Sequence, residues 1–420
     1  MKSSRLRIFF FTWGLTIATV ICGISLEVTE PKALIECESL RTPKIKKKAV
    51  KTTDSKATEP QATSTPTPSE KKVITLGQTA ALSGTMLPYQ KAINNGMAAF
   101  IKRCNAQGGL LGYKLALNIM NNNNSPAKAI TDVEALKKQN IDLLVGIAGS
   151  RNIKSVLPLV KEKQVALFFP WGLSIDTDKH QIPYMVHGQN VMRTHLKKIA
   201  SHVTGTLQHT NIGIVHSDSS FGILNANYME SLLKAYQFDA QPLQVSKQIY
   251  SNRQFNFDEI VSGFNRSKPH VIISLLTSKP TARIIQEIWK SGNHTTDFVG
   301  SEGNFFAAKQ FDDGDINFYY SSAVPSLDQI EYPIVAEYLE ASRAYLPDQV
   351  PNTLSLTYYI NMKLLAQALE QVIIEKKNIC KEAVLAALDS IKDREIGGFI
   401  GEFNRKTHVM YPLNISMLKG

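Results

Sequence analysis

The sequence predicts an α/β protein whose parallel sheets are divided between two lobes with a cleft between them. Three observations carry this. From Val73 onward, short apolar runs alternate with amphipathic helical patterns, and near-continuous apolar strands separated by helices mean parallel sheets covered on both faces. The patterned region runs from Val73 to the end of the 420-residue chain, too long for a single sheet of such short strands and enough for two lobes. Polar and glycine-rich residues fall just after the strands, where open parallel sheets bind ligands.

The chain begins differently. "MKSSRLRIFFFTWGLTIATVICGISL" carries Lys2, Arg5 and Arg7, then an uncharged stretch of nineteen residues from Ile8 to Leu26, enough to span a bilayer. The basic cluster before it, with Glu27 and Glu30 after it, predicts a cytoplasmic amino terminus and an exported remainder. Residues 1–26 therefore read as a membrane anchor or signal segment. An uncleaved anchor ranks first, and cleavage near the small residues Gly23 and Ser25 second. A lipoprotein signal ranks last, because bulky Ile21 precedes Cys22. Residues 27–72, ending "KATEPQATSTPTPSEKK", are too poor in apolar residues to fold alone. They read as a disordered Pro/Thr/Lys-rich stalk spanning on the order of 35–40 Å. The run "KIKKKAVK" within it is a solvated charge run that could also touch anionic headgroups.

Within the α/β region the expected strands are "VITLGQTA", "KLALNIMN", "IDLLVGIA", "VALFFPWG", "NIGIVHSD", "HVIISLLT" and "DFVGSE". Between the first two, "YQKAINNGMAAFIKRCNAQ" has helical spacing and stops at Gly108 and Gly109. "SPAKAITDVEALKKQ" opens on Ser125 and Pro126, a helix-start signature. The loops expected to line the cleft are 82–84, 149–152, 172–174, 216–222, 277–280 and 301–303. In the last of these, Glu302 stands in "DFVGSEGN" between Gly300 and Gly303. Glycines permit sharp turns and close approach, so an acid in that turn is either a solvated loop residue or half of a contact with something outside the chain.

Composition excludes several function classes. The net charge is +11, but residues 41–72 hold nine Lys/Arg against three Asp/Glu and residues 1–40 are balanced. The remaining mild excess forms no basic stripe with interleaved aromatics, so nucleic acid is not an expected partner. The four cysteines, Cys22, Cys37, Cys104 and Cys380, contain no CxxC and make neither a disulfide scaffold nor a zinc site. A Cys104–Cys380 bridge is the weaker reading beside a free, helix-buried Cys104. There is no phosphate-binding GxxxxGK[ST], no GxGxxG, no HExxH and no GxSxG, and "SLLK" at 231–234 falls inside a helical pattern. No metal, cofactor or catalytic set is expected. An enzyme using Glu302 with His216 or Asp218 as acid and base would need those groups to converge.

The ordered series "ITLGQTAALSG", "CNAQGG", "LLVGIAGS", "VALFFPWG", "IGIVHSDSSFG", "FVGSEG", "TYYINMKLLAQALEQ" and "GGFIGEFN" resembles the leucine/isoleucine/valine-binding family of periplasmic solute-binding proteins. The likeness runs over nearly all of 73–420, and it rests on the series rather than on any one motif. It implies the type I periplasmic binding protein fold: two Rossmann-like lobes joined by three crossovers and closing on a small solute. Lobe 1 would comprise 73–188 and 323–405, and lobe 2 would comprise 189–322 and 406–420. By the same resemblance Ser150 in "AGSRN" and Glu302 in "GSEG" match the residues that hold the ligand's carboxylate and ammonium. Tyr89 matches an aromatic cover from the first loop, Phe221 a stacking tyrosine, and Thr277 lies near another aromatic position. Two positions depart from the family. Its Gly-Ala-Thr turn becomes Trp171-Gly172-Leu173-Ser174, so that Ser174 would have to supply the hydroxyl, and Phe221 lacks a phenol oxygen. An amide or another small polar solute therefore fits beside an amino acid. The implied function is non-enzymatic, monomeric, extracytoplasmic capture of a small polar solute for an ABC-type permease. The alternative is a ligand-sensing or degenerate module acting through a membrane partner.

Overall fold

The computed structural model describes residues 72–173, 182–188, 192–236, 243–251, 253–311, 315–391, 394–404, 409–412 and 415–419. The expected anchor at 1–26 and the stalk up to residue 71 lie outside them. Among the described residues no helix is long and apolar enough to cross a membrane.

The first sheet contains β1 (Val73–Ala80), β2 (Lys114–Asn121), β3 (Leu143–Val145), β4 (Ala166–Phe168) and β5 (Met185–Val186). Its order is β2-β1-β3-β4-β5 and every pair is parallel. Parallel neighbours need long crossovers, and helices supply them. These are α1 (Leu87–Ala106) after β1, α2 (Pro126–Lys138) after β2 and α3 (Ser150–Lys161) after β3. α2 starts where the sequence indicates: the Ser125 side chain accepts from the Lys128 N–H, and Pro126 occupies the first turn. α1 ends before Gly108 and Gly109, both at positive φ.

α4 (Met192–Ser201) leads to the second sheet. There β6 (Asn211–Ser217), β7 (Gln244–Tyr250), β8 (Val271–Leu275), β9 (Asp297–Gly300) and β10 (Phe318–Ser322) alternate with α5 (Ser220–Ala235), α6 (Phe257–Ser267), α7 (Ser278–Lys290) and the single-turn α8 (Phe305–Ala308). The chain then returns to the first sheet. α9 (Pro333–Tyr345) and α10 (Thr353–Ile374) pack on α1, and α11 (Lys381–Ser390) packs on α10. A small antiparallel sheet follows, of β11 (Arg394–Ile396), β12 (Phe399–Asn404) and β13 (Val409–Pro412). Finally β14 (Ser416–Lys419) pairs antiparallel with β10, completing the order β14-β10-β9-β8-β6-β7.

Apolar clusters cover both faces of each sheet. The first sheet has α1, α9, α10 and α11 on one face and α2 and α3 on the other. The second has α4 and α5 on one face and α6 and α7 on the other. α10 is buried on nearly every side of its first four turns, as expected of a helix apolar all round. Its approach to α1 requires Gly96: a Cβ there would lie 2.0 Å from the Ser355 carbonyl oxygen.

β1 and β2 match the expected runs residue for residue, whereas β3 covers only Leu143–Val145 of "IDLLVGIA", because Gly146 turns to φ 60°. β5, β7 and β10 were not among the expected strands. β7, "QVSKQIY", is an edge strand with polar residues along most of its length, and β5 is only two residues long. Cys104 is a half-buried free thiol, so the Cys104–Cys380 bridge is not made.

Candidate functional site

A cavity of about 280 Å³ lies where the loops after the strands of both sheets converge. All six expected loop regions contribute to its wall or adjoin it. Seven of the eight residues named from the sequence line it: Tyr89, Ser150, Gly172, Leu173, Phe221, Thr277 and Glu302. Ser174 lies outside the described residues. His216 and Asp218 are not among the lining residues, and His216 Nδ1 is instead 2.9 Å from the Ser217 carbonyl oxygen. The acid–base set considered with Glu302 is therefore not assembled around this cavity.

Glu302 opens a single 3₁₀ turn after β9 and is only 3% exposed. Its Oε1 accepts a 2.9 Å hydrogen bond from the Thr357 hydroxyl of α10. Gly300 makes room for one of the protein's own side chains. A Cβ on Gly300 would sit 2.4 Å from Asn304 Oδ1, and one on Gly303 would face the Trp171 ring at 3.4 Å. Asn304 locks the turn, accepting from the Ser301 N–H and donating to the Leu276 carbonyl and Thr281 Oγ1. The acid is therefore fixed by a buried network rather than left on a mobile loop.

Ser150 is the first residue of α3, behind Gly149 at φ 91°. No side chain caps this helix, and the Ser150 hydroxyl is buried with no hydrogen-bond partner. Backbone N–H groups of a helix's first turn lack intrahelical acceptors and carry partial positive charge. Arg151 and Lys154 of the same helix also line the cavity. This wall suits an anion.

Tyr89 comes from α1 and is 2% exposed. Its ring stacks on Trp171 at 4.8 Å between centroids and meets Phe306 edge-on at 5.6 Å. Its hydroxyl accepts from the Ser278 N–H at 2.7 Å, satisfying one first-turn donor of α7, and burial pushes its pKa up. Lys154 Nζ likewise donates to Ser220 Oγ at 3.1 Å. With Thr357–Glu302, these bonds join elements of the first-sheet side to elements of the second-sheet side. Phe221 in α5 and Thr277 before α7 line the second-sheet wall.

Among the lining residues that escaped sequence reasoning, three stand out. Trp171 was visible only as a departure from the family turn. It is carried by a turn in which buried Phe169 adopts φ 56°, with its carbonyl accepting from the Tyr358 hydroxyl at 2.8 Å. A bulky residue there is strained. Met192 and His195, both on α4, also line the wall, and "MRTHLKKIA" carries no signal beyond an amphipathic helix. His195 is 2% exposed, its Nδ1 is 2.9 Å from Ser321 Oγ, and its Nε2 has no partner among the described residues. Burial lowers its pKa to about 4, against an opposing contribution from the Ser321 backbone, so the ring is neutral near pH 7.

A family model described as "Periplasmic binding protein" matches residues 73–419. The chain belongs to the periplasmic binding protein family. Within it, the chain is 22% identical over 345 residues to Leu/Ile/Val-binding protein homolog 7 of Brucella abortus (strain 2308), covering 77% of this chain and 82% of that protein. Among solved structures, a possible leucine/isoleucine/valine-binding protein from Rhodopirellula baltica superposes with a TM-score of 0.72 at 18% identity, covering 84% of this chain and 95% of that one. The branched-chain amino acid transporter substrate-binding protein LivJ of Streptococcus pneumoniae, in complex with isoleucine, gives 0.68 at 17% identity, covering 83% and 96%. A fatty acid ABC transporter substrate-binding protein from Thermomonospora curvata gives 0.67 at 14%, covering 83% and 92%. The type I periplasmic binding protein fold is thus shared by proteins whose names specify very different solutes.

Proposed function

We propose that this periplasmic binding protein captures a small polar solute of amino-acid or amide-like type and presents it to an ABC-type permease, without catalysing a reaction. The observation that carries the reading is the pairing of opposite electrostatic walls in one cavity. Glu302, desolvated and oriented by Thr357, faces the cavity from one element. The uncapped start of α3, with the Ser150 hydroxyl, faces it from another. An ammonium suits the first, and a carboxylate or carbonyl oxygen suits the second. The volume of about 280 Å³ lies just below the ~300–1,000 Å³ usual for small-molecule sites, which favours a ligand of single-amino-acid size. Tyr89, Gly172, Leu173, Phe221 and Thr277 would shape the remaining wall.

In this reading lobe 1 is 73–188 with 323–405, lobe 2 is 189–322 with 406–420, and closure between them excludes water from the ion pair, strengthening it. Residues 1–26 would export the domain and either anchor it or be cleaved, with 27–72 as the tether of a monomeric receptor.

The test is a thermal-shift and calorimetric screen of the full-length protein against amino acids, amides, polyamines and small organic acids. A ligand at 100 times its dissociation constant stabilises by about 2.7 kcal/mol. Glu302→Gln should weaken an ammonium-bearing hit at least about tenfold, because hydrogen bonds to charged groups are worth ~1.5–3 kcal/mol. The melting temperature of the ligand-free protein should stay close to the wild-type value, since a glutamine oxygen can still accept from Thr357. Undiminished affinity in Glu302→Gln would remove the acid from the site. A flat panel on folded protein would point to a degenerate cleft working through a protein partner.

A further inference from the structure

We propose that His195 determines which solute the cavity accepts: its Nε2 hydrogen-bonds an uncharged polar group, a hydroxyl or carboxamide, on the ligand's side chain. The favoured class is then a polar amino acid rather than a branched-chain aliphatic one. This rests on the amino-acid reading above and adds the side-chain class to it.

Four observations converge. His195 lines the same cavity as Glu302 and Ser150 but reaches it from α4, a separate element. The ring is 2% exposed, so its polar atoms have little access to bulk water. One nitrogen is fixed, with Nδ1 at 2.9 Å from Ser321 Oγ on fully buried β10 backbone. The other, Nε2, has no hydrogen-bond partner among the described residues. Buried polar atoms are nearly always satisfied, and one that is not marks a functional position or a missing partner.

The chemistry narrows the partner. Burial is the leading influence on this ring and no carboxylate is among the others, so no anion among the described residues holds it as a cation. A neutral imidazole offers one donor and one acceptor, and the bond at Nδ1 decides which of them Nε2 presents. If Nδ1–H donates to Ser321 Oγ, Nε2 accepts; if the serine hydroxyl donates, Nε2–H donates. A hydroxyl or a carboxamide satisfies either case. A methyl group satisfies neither and leaves Nε2 buried and unpaired. Sites built to hydrogen-bond a substrate group reject the isostere lacking it far more strongly than an apolar pocket rejects an added hydroxyl. Met192, one turn before His195 on α4, supplies adaptable apolar contact beside the polar atom.

Threonine and valine have nearly the same shape and differ by a hydroxyl in place of a methyl, so they isolate the interaction. Titration calorimetry of the full-length protein with each is expected to give threonine at least about tenfold tighter binding than valine. His195→Leu should bring that ratio to about one, chiefly by improving valine. His195→Gln, which keeps a hydrogen-bonding group, should retain a preference for threonine. The wild-type ratio needs no variant, so a misfolded His195→Leu would leave the proposal exposed to refutation. Valine binding as tightly as threonine, with both lost in Glu302→Gln, would overturn the role of His195 while leaving the amino-acid receptor intact. Equal weakening of both ligands in His195→Leu and His195→Gln would show a structural histidine and also overturn it. Failure of every amino acid to bind would overturn this proposal together with the reading it rests on.

Discussion

Acidification should destabilise this protein through a residue that no surface argument would identify. His195 has an ordinary pKa of 6.5 and, in the fold, a value of about 4, chiefly because burial disfavours its charged form. Between those two values the unfolded chain binds a proton that the folded chain does not. Stability therefore rises with pH across that window: the contribution is complete above pH 6.5 and is lost as pH falls toward about 4. At roughly 1.4 kcal/mol per pKa unit, the full loss is about 3 kcal/mol, of which about 2 is gone by pH 5. His202 is also lowered, by burial and then by neighbouring Lys198, and acts in the same direction. The comparison must therefore be differential. Urea denaturation of wild type and His195→Gln at about pH 7.5 and pH 5 cancels His202 and the surface carboxylates. Wild type is expected to lose about 2 kcal/mol more than the variant on acidification. Equal losses would refute the argument, as would an NMR titration of the His195 ring with a midpoint near 6.5.

Gly96→Ala places a methyl 2.0 Å from the Ser355 carbonyl oxygen. The two nearest atoms, the Ser355 carbonyl oxygen and carbon, are backbone, so α1 and α10 must part; the cost should reach or exceed the upper end of the ~1–3 kcal/mol range for overpacking, and an unchanged melting temperature in calorimetry would contradict the close approach. Tyr89→Phe keeps the stack on Trp171 but leaves the Ser278 N–H, now bonded at 2.7 Å, without its acceptor. Denaturant midpoints should fall by the equivalent of about 1–3 kcal/mol, and a silent substitution would mean that this N–H has another acceptor.

The alternation of apolar runs and helical patterns pointed to parallel-stranded sheets and to the loops that now surround the cavity, because both follow from periodicity. Ser125, Gly108 and Gly109 marked helix ends for reasons local to the backbone. What the sequence could not carry was long-range. β7 reads as polar because it is an edge strand, and β14 pairs with β10 from far along the chain. Thr357 gains its role only because α10 returns to the first-sheet side and meets the turn after β9. Glu302 was identifiable as an unusual acid, yet the close approach that requires Gly300 is made by Asn304, whose rotamer is set by tertiary partners, Leu276 and Thr281. His195 looks like any helical histidine until Ser321 and the cavity surround it.

Thr357 and Tyr358 are neighbours on α10, and one holds the Glu302 carboxylate while the other holds the backbone that carries Trp171. The two walls are therefore referenced to a single rod, 22 residues and about 33 Å long. Sliding or tilting that rod would shift both anchor points, and with them Glu302 and the turn that carries Trp171, relative to the start of α3. α11 packs on α10 and meets it near its carboxyl end, where the Ser390 hydroxyl donates to Gln371 Oε1 at 3.1 Å. The cavity's dimensions are thus written partly in the seating of a helix most of whose side chains never line it.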